Sequence, residues 1–129
     1  MATATKKGST LDKYLVPERI AILLKESGFQ ERCFGFYNNI CKLQLFTDFT
    51  DAKISFPDKS QIKVLAPTWD QAIEWLADRD IDVVYSPLDQ HNCFHLYHYK
   101  TQWGSCSDKN KLVAKANAII KGIEMWKTI

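Results

Sequence analysis

The sequence predicts an α+β domain: an antiparallel sheet of four to five strands with helices packed on it, in the order α-β-β-(β)-α-β-β-α. Three observations carry this. Apolar residues recur at helical spacing up to Gly28, then give way to short runs rich in β-formers. Asn38-Asn39, a pair that tolerates left-handed backbone, splits the first of those runs into a hairpin. The strands are joined by two hairpins without long crossovers, which favours antiparallel pairing with helices on one face.

The first helix is read in "LDKYLVPERIAILLKESGF". Pro17 suits a helix start, Glu18 sits at the positive end of the dipole, and Ile20, Ala21, Leu23 and Leu24 form the apolar stripe. Gly28 is the expected stop, and Leu11, Tyr14 and Leu15 form a preceding turn. Strands follow at about 32–37 and 40–46. Residues 47–61 are polar, with Asp48, Asp51 and Asp58, and are expected to be a mobile loop that Ile54 and Phe56 partly anchor. "IKVL" is a short strand. "APTWDQAIEWLADRD" is a helix started by a capping box of Thr68 and Gln71, with Trp69, Ala72, Ile73, Leu76 and Ala77 inward and Trp75 to the side. "IDVVYSP" and "HNCFHLYHYK" are strands joined by a turn from Ser86 to Gln90. "TQWGSC" is read as a turn and cap. The last helix is expected to be capped by Ser107 or Asp108, with Leu112, Ala116, Ile119, Ile120 and Ile123 inward.

At 129 residues the chain is the size of one domain and buries roughly two-thirds of its extended surface on folding, so it needs no disulfide or metal. The expected organisation is a disordered tail over 1–9 and a single α+β domain over 10–129. The 46% apolar and 25% charged shares are those of a soluble globular protein, and 12% aromatic is rich. No apolar run approaches the roughly 18–20 residues of a membrane span, and "MATATKKGST" has no apolar core after its lysines. A cytoplasmic location follows as the expectation, with Cys33, Cys41, Cys93 and Cys106 kept as thiols.

The net charge of +2 is too close to neutral to argue for nucleic acid or an acidic membrane, and neither is expected as a partner. Six lysines against Asp108 and Glu124 lie between Lys100 and the end, but they do not form one stripe, and the helix has no Arg to reach base edges. Dinucleotide, P-loop and nucleophile-elbow glycine patterns are missing from the sequence, and no cofactor is expected.

The one dense group of chemical side chains runs from His91 to Cys106. Alternation along a strand puts His91, Cys93 and His95 on one face and His98 on the other with Phe94 and Leu96. A metal site would need a further ligand, either Cys106 across the turn or a carboxylate elsewhere. A catalytic thiol would need a base beside Cys93, or beside Cys106 at the start of the last helix. The competing reading is packing. "WGSCS" within this stretch resembles a segment that precedes the metal helix in gluzincin metallohydrolases. Their HExxH helix has no counterpart after His98, so the match is treated as chance.

Three longer segments, "LVPERIAILLKESGFQERCFGFY", "LAPTWDQAIEWLADRDIDV" and "LVAKANAIIKGIEMWK", carry a resemblance to a class of small single-domain proteins of anaerobic gut bacteria, their phages and mobile elements. That class assigns no residue a role. The resemblance implies a cytosolic, non-enzymatic α+β protein. The functional expectation is therefore a soluble interaction protein of mobile-element or phage type, binding an unidentified protein or itself. Trp75, Tyr97, Tyr99 and Trp126 are the candidate surface, because such side chains anchor interfaces. The alternatives are a metal- or thiol-dependent enzyme centred on 91–106 and a nucleic-acid binder using the basic last helix.

Overall fold

The computed structural model describes residues 11, 13–45, 62–88 and 90–129; the expected tail and the 47–61 loop lie outside them. The fold is α+β. Contacts divide the chain into two compact units, residues 1–69 and 70–129.

The first unit holds helix α1 (Glu18–Glu26) and strands β1 (Gly35–Asn38), β2 (Leu43–Leu45) and β3 (Ile62–Ala66). Leu11 accepts hydrogen bonds from the amides of Tyr14 and Leu15 in the expected turn, and Pro17 occupies the cap position before α1. The helix ends as its sequence dictates. Gly28 adopts φ +106, its amide donates to Lys25, and the Phe29 amide reaches back to Leu24. This double bond pattern satisfies the last carbonyls at the one position where a left-handed residue is required. Ile20, Ala21 and Leu24 are buried.

The three strands form an antiparallel sheet in the order β2-β1-β3. The β1–β2 turn is built differently from the expectation. The Asn38 side chain accepts from the amides of Ile40 and Lys42, and the left-handed residue is Cys41, not either asparagine. Two details lock β1 in place. The buried Tyr37 hydroxyl donates to the Val16 carbonyl at 2.8 Å. A Cβ on Gly35 would stand 2.6 Å from Leu15 Cδ1 and 3.0 Å from the Gln44 carbonyl oxygen, so only glycine lets these segments approach.

Helix α2 (Trp69–Ala77) begins where the second unit starts. That unit continues with β4 (Ile81–Leu88), β5 (His91–His98), β6 (Thr101–Asp108) and helix α3 (Lys111–Thr128). The strands form an antiparallel meander in the order β4-β5-β6. The structure thus corrects the single sheet of four to five strands: the described residues form two sheets of three. The additional strand is β6, the segment expected to be a turn and cap. The turn lies earlier, at Tyr99-Lys100. Asn110, rather than Ser107 or Asp108, caps α3, accepting from the amides of Leu112 and Val113. Asp108 instead ends β6 and accepts from the Asn110 amide at 2.8 Å.

Helix α3 buries a stripe of small residues on one sheet face. Ala114 and Ala118 pack against Phe94, with Val83 and Cys106 alongside. Gly122 lies where α3 meets both β5 and α2, since a Cβ there would stand 3.5 Å from Leu96 Cδ2 and 2.9 Å from Leu76 Cδ1. The buried face of α2 is rotated from the expected stripe. Trp75 is 2% exposed, whereas Ile73 is half-buried and Ala77 exposed. The Trp75 ring meets Trp126 edge-on at 6.4 Å, and the Arg79 guanidinium lies 3.6 Å over its face.

Candidate functional site

Strand pairing in the second unit separates the residues of 91–106 onto two faces. Residues opposite one another in adjacent strands share a face. Cys106 pairs with Phe94 and therefore faces α3, while Cys93 pairs with Ser107 and faces the other way. His91, Cys93 and His95 do share a face, as expected, with Tyr97. Cys106 cannot join them. Among the described residues no three His, Cys, Asp or Glu side chains converge as a metal-ligating group.

On the face away from α3, Cys93 Sγ stands 3.7 Å from His95 Nε2, and His95 Nδ1 stands 3.1 Å from Gln102 Nε2. A thiol, an imidazole and an amide in line form the skeleton of a nucleophile, its base and the base's orienting partner. Access weighs against catalysis: Cys93 is 4% exposed, which shields the sulfur from a substrate. Gln102 escaped the sequence reading because it belongs to the unexpected strand β6.

The other thiols differ sharply in access. Burial pushes Cys33 up to about 12, with the charge of Glu31 adding to it. Burial also raises Cys106, against the opposing charge of Lys121. Cys41 is exposed, and Lys63 Nζ donates to its sulfur at 3.4 Å while pairing with Glu18 at 3.1 Å. Glu18 and then Cys41 hold the Lys63 ammonium above its usual pKa. Limited alkylation with iodoacetamide at pH 8 is therefore expected to label Cys41 first, at least about tenfold faster than the other three, because a thiol must be both accessible and ionised to react. Peptide mapping by mass spectrometry checks this; equal labelling of Cys33 would contradict the burial described.

Among the described residues, the most exposed aromatic group lies at the β5–β6 turn. Tyr99 and Lys100 have φ 49 and φ 67, the left-handed pair of a two-residue hairpin turn. Tyr99 is 69% and Trp103 51% exposed. His98 lies between them, 4.3 Å from the Tyr99 ring and edge-on to Trp103 at 5.7 Å. Trp103 stands out because the β5–β6 register shifts beside it: Leu96 pairs with Gly104 and Tyr97 with Gln102, leaving Trp103 without an opposite residue. The Tyr99 hydroxyl donates to the Asp80 carboxylate, which raises its pKa.

Of the four aromatics expected at a surface, Tyr99 is fully there and Trp126 lies at the margin, 36% exposed. Tyr97 is half-buried. Trp75 is a correction: it is core, covered by Trp126 and Arg79. His98 and Trp103 were not anticipated as part of the cluster. On α3, the Lys111 ammonium lies 4.4 Å from the Tyr85 ring, and Lys121 crosses β6 so closely that a Cβ on Gly104 would meet its Nζ at 2.7 Å.

No helix among the described residues is long and apolar enough to cross a membrane. Compared with known proteins, the chain matches no family model, no curated protein and no solved structure.

Proposed function

We propose that this chain is a non-catalytic interaction protein that binds a partner protein through the aromatic tip of the β5–β6 hairpin, in the phage or mobile-element setting that its sequence segments resemble. The supporting observation is the backbone beneath Tyr99. A bulky residue in the left-handed region costs on the order of 1–3 kcal/mol, and Asn-Gly would make the same turn without that cost. The turn instead carries tyrosine and lysine, at φ 49 and φ 67, and displays the ring to solvent beside Trp103. Exposed Tyr and Trp with rigid, large faces are the side chains that dominate binding energy at protein interfaces.

A thiol-dependent reading ranks second, favoured by the Cys93–His95–Gln102 line and opposed by the burial of the sulfur. The reading as a nucleic-acid binder ranks third, because Lys111 and Lys121 are engaged within the unit. Affinity capture from the host extract separates the first two. The unmodified chain and a Tyr99→Ser/Trp103→Ser variant are compared, with circular dichroism showing that both are folded. The proposal expects one or more proteins retained by the first and lost from the second. Identical retained sets would refute it, and loss with Cys93→Ser instead would favour the thiol.

A further inference from the structure

A second binding surface lies in the first unit and rests on different observations. β3 is an edge strand: in the order β2-β1-β3 it pairs with β1 on one side only among the described residues. Beside it runs a cleft of about 570 Å³, lined by Ala21 and Lys25 of α1, by Phe29, and by four consecutive residues of β3 (62–65). Consecutive strand residues point to opposite faces of a sheet. A cleft that touches all four therefore follows the outer backbone edge of β3 and does not lie under one face. Its wall is apolar at Ala21, Phe29, Ile62 and Val64. Among the described residues, its charged lining is two lysines, Lys25 and Lys63, with no acid. Glu18, outside that lining, pairs with Lys63 at 3.1 Å.

A helix, an adjacent sheet edge and a cleft between them make a groove in which an extended peptide adds as a further strand, held by main-chain hydrogen bonds and selected by alternate side chains. We propose that this groove binds an extended peptide segment of a partner protein, with acidic residues alternating with apolar ones, as a fourth strand beside β3. The apolar side chains would face the wall of Ala21 and Phe29, and the carboxylates would meet Lys25 and Lys63. This surface does not depend on the aromatic hairpin, and either can fail alone.

The test uses the full chain and a labelled, end-blocked hexapeptide alternating Glu and Val, followed by fluorescence anisotropy. Saturable binding is expected, about tenfold weaker for Lys25→Glu, an exposed helix position whose variant should fold normally. The peptide with lysine in place of glutamate should not bind. N-methylation at alternate residues should abolish binding, because it removes strand donors. Hydrogen exchange should slow at the β3 amides when the peptide is added. Absence of binding at about millimolar peptide, equal binding of the lysine peptide, or indifference to Lys25→Glu would overturn the proposal. So would β3 edge amides already protected without peptide: protection that persists on dilution means another part of this chain fills the groove, and protection lost on dilution means a second copy does.

Discussion

Trp75→Ala is expected to destabilise the second unit by about 3–5 kcal/mol, the usual range for removing a buried tryptophan. The ring is 2% exposed, so its whole apolar surface would be lost from the interior. Its neighbours cannot collapse into the gap without loss. Trp126 contacts it edge-on at 6.4 Å, and Arg79 stacks at 3.6 Å while its Nη1 donates to the Trp75 carbonyl at 2.9 Å. Removing the ring therefore also removes a cation–π contact worth roughly 0.5–1 kcal/mol at such a site. Urea titration followed by far-ultraviolet circular dichroism checks this. A loss below about 1 kcal/mol would mean that Trp75 is a surface residue, as its position beside the expected stripe first implied.

Leu96→Ala is expected to cost about 2–5 kcal/mol. Leu96 is fully buried in the central strand β5, and Gly122 brings α3 close enough for its Cδ2 to fill the space beneath the helix. Alanine would leave a cavity between strand and helix that neither regular element can close. The transition midpoint should fall while the denaturant slope stays unchanged, because the surface exposed on unfolding is nearly the same. By contrast Val84, 44% exposed on the opposite face of the same sheet, should tolerate alanine within about 0.5 kcal/mol. Equal losses at the two positions would contradict the assignment of faces.

Local signals explain which parts of this architecture could be read from sequence. Gly28 ends α1 in the way its neighbours require, and the period-two pattern of 91–98 correctly puts His98 with Phe94 and Leu96. β6 was illegible for a specific reason. Its hairpin turn uses Tyr99-Lys100, which carries no turn signature, while Gly104, a residue that reads as a turn, sits inside the strand where Lys121 crosses it. Losing that strand hid Gln102 as the partner of His95 and hid the register that turns Cys106 away from Cys93. The buried side of α2 was misjudged because it is set by Trp126, at the far end of the chain, and no local period reports that contact. For α3, Ile119 and Ile123 are buried as expected, but Leu112, Ala116 and Ile120 are only half-buried, and the stripe also takes in Ala114, Ala118 and Gly122, whose small side chains give little apolar signal in the sequence.

We propose that the Tyr99-Lys100 turn serves presentation to a partner at a cost in stability. The denaturation midpoint of a Tyr99→Asn/Lys100→Gly variant tests it most directly. Asn-Gly suits two successive left-handed residues, so relief of backbone strain should outweigh the loss of the solvent-exposed contacts to His98 and Asp80. A stability gain of about 1–2 kcal/mol is expected, seen as a higher urea midpoint with an unchanged slope. A lower midpoint would show that Tyr99 holds the hairpin together, and would contradict its assignment as a binding surface.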